Sequence, residues 1–146
     1  LINPPSALGV TPYEVLIIAS LIEEEAALDE ERAKIARVIY NRLERSIPLG
    51  IDATIVYALG GDRELTLSDL AVDSPYNTRL FLGLPPTPIS APGRASMEAA
   101  LQPAQGEWLY YVRTDESGVG SHTFAVTQED FNEAVLICVE RELGCG

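Results

Sequence analysis

The stretch TPYEVLIIASLIEEE, residues 11–25, is the clearest structural signal in the chain. Thr11 is suited to cap a helix, Pro12 fits the first helical position, and Glu14 completes a capping box. The residues from Val15 to Ile22 are apolar on every side of the predicted helix. A helix of this kind is expected to be buried in the middle of the domain.

Further helices are predicted on both sides of an irregular middle region. The second runs from Asp29 to about Arg45, with an i,i+4 ion pair between Glu30 and Lys34. One face of it is apolar and carries Ala36, Ile39, Tyr40 and Leu43. Residues 95–101 also have a helical pattern that Pro103 ends.

The C-terminal part predicts a β-hairpin followed by a last helix. Residues 108–112 and 122–126 look like two strands joined by a turn at 115–120. A capping sequence at Thr127 begins the helix, Gly144 is a stop signal, and one side is apolar: Phe131, Ala134, Val135 and Cys138.

Residues 49–95 are rich in proline and glycine and form a long loop region, with a short helix expected near 67–72. Such a long loop in a compact domain is more often a binding surface than filler. The order of elements predicts a single α+β domain: a buried central helix with packed helices, a β-hairpin or small antiparallel sheet, and this loop region.

Composition excludes several classes of function. The 146 residues are 47% hydrophobic, with a net charge of −12 and a pI near 4.3. This acidity argues against nucleic acid as a partner and against docking on anionic lipids. No apolar stretch is long enough to span a membrane. The chain begins with Leu1, and we interpret it as a fragment whose targeting or anchor segment is missing.

The two cysteines leave the redox compartment open. Cys138 and Cys145 are too far apart to bond if one continuous helix carries both, at roughly 10 Å of helical rise. Two unrelated thiols are the simpler interpretation, and a disulfide requires the chain to turn back after Gly144. Without further Cys or His ligands, a structural zinc site is excluded and no metal is predicted.

The three consecutive glutamates after the apolar run are the main candidates for chemistry. Glu23 lies next to apolar helix positions, so we expect its pKa to be raised, as burial disfavours the ionised form. A protonated carboxyl near neutral pH can donate a proton to a leaving oxygen. Spacing alone does not favour Glu23 over Glu24 or Glu25, and the triplet could simply mark where the helix leaves the core.

Other chemistries have weaker support. His122 is the only histidine, without a nucleophile elbow for a serine hydrolase, and no phosphate-binding loop is present. A cation site from Glu23, Glu25 and Asp29 fits no known loop. Three aromatic residues of the first strand could stack on sugars, but core packing explains them better: Trp108, Tyr110 and Tyr111.

Seven stretches together resemble the YceG-like family of MltG-type endolytic murein transglycosylases, over roughly residues 13–135. In order, they are ASLIEEEA (19–26), VIYNRL (38–43), IDATIVY (51–57), DSPYNT (73–78), GLPPTPI (83–89), AALQPA (99–104) and HTF (122–124). Four positions depart from the usual family pattern: Ala53 replaces proline, Arg79 an aromatic residue, Thr87 glycine, and Gln102 asparagine. Arg79 and Thr87 bear on the shape and charge of a substrate groove.

Residues 1–10 lack periodicity and are interpreted as a lead-in segment. The resemblance implies a YceG-like catalytic domain at 11–146, from a longer, membrane-anchored protein. It assigns the catalytic role to the first acid after the run Ala-Ser-aliphatic-aliphatic (residues 19–22), which is Glu23. It also implies action on peptidoglycan outside the cytoplasmic membrane, partners among the cell-wall synthesis proteins, and no cofactor. Supporting contacts to substrate are expected from Asp52, Tyr76, Asn77 and His122.

The implied reaction is non-hydrolytic cleavage of the β-1,4 bond between N-acetylmuramic acid and N-acetylglucosamine within a strand. One glutamate acts first as acid and then as base, and the product has a 1,6-anhydromuramoyl end. Two alternatives stay open. One is a peptidoglycan hydrolase that uses Asp52 or Asp73 as a second carboxylate, and the other is a glycan-binding module without catalysis.

Overall fold

Helix α1, Pro12–Glu25, forms the centre of the domain. The Thr11 hydroxyl accepts a hydrogen bond from the Glu14 N–H (3.2 Å), and the Glu14 carboxylate accepts one from the Thr11 N–H (2.9 Å). The predicted capping box is therefore confirmed. The apolar run is buried as expected, and Ile18 and Leu21 are fully inaccessible to solvent.

The structure, a computed structural model, describes residues 4–115 and 120–145. After α1 come four further helices and one hairpin: α2 Arg32–Glu44, α3 Asp52–Ala58, α4 Arg94–Leu101, β1 Tyr110–Arg113, β2 His122–Ala125 and α5 Gln128–Glu140. Single 3₁₀ turns lie at Ser6–Leu8, Asp29–Glu31 and Asp69–Ala71. The predicted α+β class is confirmed. Among the described helices, none has the length and apolar character that crossing a membrane requires.

The proline-rich segment before α4 is attached to the middle of α1 through Ser20. The buried Ser20 hydroxyl accepts a hydrogen bond from the Ile89 N–H (3.1 Å), and the Ser90 hydroxyl donates one to the Ser20 carbonyl (3.0 Å). Helix α4 then packs along α1, with Ala99 and Ala100 in the shared core. This attachment brings the N-terminus of α4 to the C-terminal end of α1.

The hairpin lies on the other side of that end. Its strands are antiparallel, with Tyr110 opposite Ala125 and Arg113 opposite His122, and α5 packs against β1. Residues 116–119 of the predicted turn lie outside the described part of the chain. Gly120 has a φ of +82°, and a side chain there would collide with Ala27. Glycine at this position therefore lets the hairpin approach the segment that follows α1.

The loop region contains a helix that the sequence did not predict. Helix α3 is held by the buried Thr54 hydroxyl, which donates to the Ile51 carbonyl (2.8 Å) and bonds the Thr78 hydroxyl (3.1 Å). The short helix expected near 67–72 is the 3₁₀ turn Asp69–Ala71.

The second predicted helix begins later than expected. The chain makes the 3₁₀ turn Asp29–Glu31 before α2 starts, and Arg32 pairs with Asp29 (3.1 Å). The predicted Glu30–Lys34 ion pair is not formed. The Lys34 ammonium lies instead over the Trp108 ring, 5.4 Å from its centroid, where a cation–π interaction stabilises it.

The two cysteines form a disulfide, so their interpretation as unrelated thiols is wrong. Helix α5 ends before Gly144, in a Schellman turn in which the Leu143 N–H bonds the Cys138 carbonyl (3.1 Å). Glu142 takes a left-handed conformation there, with a φ of 56°. The chain turns back, and the Cys138 and Cys145 Cα atoms come within 6.0 Å.

We predict that Leu21→Ala lowers the free energy of unfolding by about 3–5 kcal/mol, because it leaves a cavity in the closed core around α1. Urea denaturation measures the change. Leu67→Ala is the matched control: Leu67 is 88% exposed, and its truncation should change stability by less than about 0.5 kcal/mol. Equal effects of the two substitutions would contradict the central position of α1.

Candidate active site

The three glutamates at the end of α1 lie in three different environments. Neighbouring residues on a helix point about 100° apart, so Glu23 and Glu25 leave α1 in nearly opposite directions. Glu24 lies between them and is exposed, whereas Glu23 and Glu25 are half-buried. Each of these two meets a different part of the chain.

Glu23 meets the N-terminus of α4. Its Oε1 atom accepts hydrogen bonds from the backbone N–H of Gly93 (2.9 Å) and from the Ser96 hydroxyl (2.9 Å). Gly93 is the N-cap residue of α4, so the carboxylate also lies at the positive end of the helix dipole.

These contacts reverse the expected titration of Glu23. The hydrogen bonds from Gly93 and Ser96 lower the pKa of Glu23 below the usual value, and the nearby Arg32 charge adds to this effect. Burial acts in the opposite direction and does not outweigh the two hydrogen bonds. The expectation of a raised pKa was wrong, because donors from a distant part of the chain outweigh the apolar wall.

The second oxygen of Glu23 is left for another partner. Within residues 4–115 and 120–145, Oε2 makes no hydrogen bond, while Oε1 holds both donors. The carboxyl is thus oriented through one oxygen and can exchange a proton through the other. This arrangement orients the carboxyl group and stabilises its ionised form, which suits a base.

Glu25 meets the hairpin on the opposite side of α1. The Tyr111 hydroxyl donates a hydrogen bond of 2.6 Å to its Oε1. Burial raises the pKa of Glu25, and the hydrogen bond from Tyr111 and the nearby His122 lower it only in part. The environment that the sequence predicted for Glu23 is therefore the environment of Glu25.

Glu25 lines a cavity of about 410 Å³ between α1, α2, the hairpin and the C-terminal turn. Its charged and polar lining comprises Glu25, Arg42, Asp52, Arg79, Tyr111, Arg113 and His122. The disulfide and Leu143–Cys145 form part of the wall. Glu23 is not among the lining residues, so the two carboxyls serve separate surfaces.

His122 contacts neither Glu23 nor Glu25 by hydrogen bonding. Its Nδ1 lies 2.9 Å from Glu31 Oε1, and its backbone N–H donates to Glu31 Oε2 (2.8 Å). The imidazole also packs edge-on against the Tyr111 ring, with centroids 5.4 Å apart. His122 therefore orients the strand that carries it and borders the cavity.

Two of the other predicted contact residues are engaged within the loop region. Asp52 accepts two hydrogen bonds from the Arg79 guanidinium, at 2.7 and 3.2 Å. Asn77 is fully buried, and its side-chain amide donates to the carbonyls of Leu70 and Val72. In this conformation Asn77 holds the loop and has no surface for a ligand.

Tyr76 lies nearer the surface. Its hydroxyl bonds the Thr87 hydroxyl (2.8 Å), and its ring lies 5.3 Å from that of Tyr57. Thr87 and Arg79, which depart from the usual family pattern, both take part in these loop contacts.

Within the described part of the chain, no three His, Cys, Asp or Glu side chains are grouped as metal ligands.

The sequence of this chain matches a known protein family. Residues 3–136 fit the sequence pattern of the YceG-like family. The chain belongs to the YceG-like family. Two relatives carry the name endolytic murein transglycosylase. The one from Bacillus subtilis (strain 168) is 43% identical over 126 residues, and the one from Streptococcus pneumoniae serotype 2 is 36% identical over 141 residues.

A solved structure shows the same fold. The 2.6 Å crystal structure of a yceG-like protein from Listeria monocytogenes superposes with a TM-score of 0.78 at 40% identity, over 88% of this chain and 40% of that one. The matches cover 86% and 92% of this YceG-like chain but 34% and 25% of the Bacillus and Streptococcus proteins. The chain therefore spans about a third or less of these relatives' length.

Sequence reasoning missed the residues that place Glu23 and Glu25 in different environments. Gly93, Ser96 and Tyr111 lie about 70 to 90 positions from their partners, and no local pattern pairs residues at that distance. One signal was available: Gly93 precedes the predicted helix at 95–101, and a helix N-terminus attracts a carboxylate.

We predict that Glu25→Gln stabilises the protein more at about pH 8 than at about pH 4. The raised pKa means that the folded state resists ionisation of Glu25, so the native protein loses stability as pH rises through that pKa. Glutamine has no charge to bury and avoids this loss. Urea denaturation at the two pH values measures the difference between the native protein and the variant.

Glu24→Gln removes one charge from the exposed surface of the same helix end and serves as the control. A stability difference for Glu25→Gln that does not grow with pH would contradict the raised pKa.

Proposed function

We propose that this chain is the catalytic part of a lytic transglycosylase that cleaves peptidoglycan strands internally, with Glu23 as the catalytic residue. The family and the names of two relatives support the class of reaction. The single observation that supports Glu23 is its geometry, since one carboxyl oxygen is held by Gly93 and Ser96 and the other is left for substrate.

The proposed reaction needs one carboxyl group. Glu23 donates its proton to the glycosidic oxygen while the bond from muramoyl C1 breaks. The resulting carboxylate takes the proton of the muramoyl C6 hydroxyl, whose oxygen bonds C1. One product ends in N-acetylglucosamine with a free hydroxyl group, and the other ends in a 1,6-anhydromuramoyl group. No water is consumed.

The lowered pKa of Glu23 in the free protein places a requirement on this reaction. The carboxyl must regain a proton before it can act as an acid. A glycan strand lying against it excludes water and disfavours the charged form, which raises the pKa. After proton transfer, the two hydrogen bonds to Oε1 stabilise the carboxylate that serves as the base.

The disulfide supports a site of action outside the cytoplasm. Bonds of this kind form and persist in oxidising compartments and are rare in the cytosol. The Cys138–Cys145 bond therefore agrees with an extracytoplasmic place at the cell wall, where peptidoglycan strands are the partner. We extend this proposal to a membrane anchor elsewhere in the whole protein and to cooperation with cell-wall synthesis proteins.

We predict that Glu23→Gln lowers the rate of strand cleavage by about a hundredfold or more, the usual contribution of a positioned proton donor. Glutamine has the same shape, and its carbonyl oxygen can still accept the hydrogen bonds from Gly93 and Ser96. The fold should therefore be retained. Release of soluble fragments from purified peptidoglycan measures the rate.

Glu24→Gln is the matched control, because Glu24 is exposed on the same helix turn, and it should cleave at the native rate. Mass analysis of the fragments identifies the reaction: anhydro ends are one water lighter than the reducing ends that a hydrolase forms. A fully active Glu23→Gln variant would contradict the catalytic role of Glu23. Fragments with reducing ends would show that the protein is a hydrolase and not a transglycosylase.

A further inference from the structure

The buried carboxylate of Glu31 has no part in the reaction proposed above. Glu31 ends the 3₁₀ turn that precedes α2, and it is only 8% exposed. Burying a charged group is costly unless the group is paired and hydrogen-bonded. In the part of the chain that the structure describes, both hydrogen-bond partners of this carboxylate are atoms of His122. Its contacts therefore serve to hold His122.

The two oxygens of Glu31 hold different parts of His122. Oε2 accepts a hydrogen bond from the His122 backbone N–H (2.8 Å), which fixes the start of β2. Oε1 lies 2.9 Å from Nδ1 of the imidazole, which fixes the ring. The edge-on contact with the Tyr111 ring further restricts rotation of the imidazole.

The pairing with Glu31 selects one of the two tautomers of the imidazole. A carboxylate accepts hydrogen bonds and donates none, so the Nδ1 atom of His122 must carry the hydrogen. In a neutral imidazole with hydrogen on Nδ1, the Nε2 atom is an acceptor and cannot donate. Glu31 therefore determines the hydrogen-bonding character of the far side of the ring.

The Nε2 atom of His122 is left for a ligand. It makes no hydrogen bond to residues 4–115 or 120–145. Among those residues, every buried side-chain nitrogen or oxygen has a partner, so Nε2 must be accessible. His122 lines the cavity of about 410 Å³ beside the hairpin, a volume within the usual range of about 300–1,000 Å³ for small-molecule sites.

A fixed acceptor suits one kind of ligand group in particular. A hydroxyl group both donates and accepts hydrogen bonds, so it can pair with either tautomer of a histidine. An amide N–H only donates, so it requires the tautomer with a free Nε2. Both sugars of a peptidoglycan strand carry an acetamido group with such an N–H.

We propose that Glu31 is a positioning residue that holds His122 in the Nδ1–H tautomer, and that His122 Nε2 accepts a hydrogen bond from an acetamido N–H of the glycan strand. The inference rests on the proposed function for its ligand. The pair thus recognises the N-acetyl group of a sugar that enters the cavity.

Nitrogen NMR of the imidazole tests the tautomer directly. His122 is the only histidine in the chain, so both ring nitrogens are assigned without ambiguity. At a pH at which the imidazole is neutral, we expect hydrogen on Nδ1 and none on Nε2. Hydrogen on Nε2 in the native protein would overturn the proposal.

The Glu31→Gln variant should invert the tautomer. Its amide oxygen must face the His122 backbone N–H, which can only donate, so its NH₂ group faces Nδ1 and displaces the hydrogen to Nε2. Glu30→Gln is the matched control, because Glu30 is exposed on the same 3₁₀ turn, and it should keep the native tautomer. An unchanged tautomer in Glu31→Gln, or an inverted one in Glu30→Gln, would contradict the positioning role.

Two neutral oligosaccharides test the ligand. Chitotetraose carries acetamido groups and cellotetraose carries hydroxyl groups only, and neither has the muramoyl group that the proposed cleavage needs. We expect chitotetraose to shift the Nε2 resonance of the native protein and cellotetraose to leave it unchanged. No shift with chitotetraose, or equal shifts with both, would overturn the assignment to an acetamido N–H.

Affinity for chitotetraose, measured by the same titration on backbone resonances, tests both residues. Glu31→Gln and His122→Asn should each weaken binding by about tenfold, the usual effect of losing one hydrogen bond in a buried site, and Glu30→Gln should have no effect. Asparagine retains a donor for Glu31 and lacks an atom at the Nε2 position, so His122→Asn keeps the test valid if Glu31→Gln fails to fold. Native affinity in His122→Asn would overturn the proposal.

The two proposals fail separately. The tautomer and the binding of chitotetraose are measured without turnover, so they are interpretable whether or not Glu23 is the catalytic residue. Loss of cleavage in Glu23→Gln, in turn, does not depend on the tautomer of His122.

Discussion

The C-terminal end of α1 is fixed from two sides, and this constraint determines the chemistry of its carboxyl groups. Ser20 attaches the proline-rich segment to the helix and brings the N-terminus of α4 to one side. Gly120 allows the hairpin to approach on the other. Because Val15 and residues 17–22 of α1 are buried in the core, a shift of the helix to relieve either contact would disturb close packing. The pKa values of Glu23 and Glu25, which lie on one helical turn, are therefore shifted in opposite directions.

This separation gives the two carboxyl groups different chemical properties. Glu23, with two donors on one oxygen, is oriented and stabilised as a carboxylate, which is the form a base needs. Glu25, with one tyrosine donor and only part of its surface exposed, favours the neutral form.

Local sequence patterns predicted those parts of the fold that depend on neighbouring residues. The capping box at Thr11 and the paired strands of the hairpin follow from short patterns, and the structure confirms them. Helix α3 was missed because it is only seven residues long and lies within a proline- and glycine-rich region. The disulfide was missed because its formation depends on a Schellman turn at Glu142, a residue that rarely adopts the left-handed conformation.

The candidate site was predicted only in part, for the same reason. The sequence placed a group of acids at the end of a buried helix, and the family pattern selected Glu23 among them. The direction of its pKa depends on Gly93 and Ser96, which only the tertiary fold brings close. The Lys34 contact with Trp108 likewise replaced a local ion pair with a distant partner.

Carboxyl-carbon NMR titration of the folded protein tests the central claim most directly. Spectra of Glu23→Gln and Glu25→Gln assign the two resonances, and the chemical shifts are then followed against pH. We predict that Glu23 titrates below the usual range of a glutamate and Glu25 above it. Coincident titrations, or the reverse order, would contradict the account of how α1 is held.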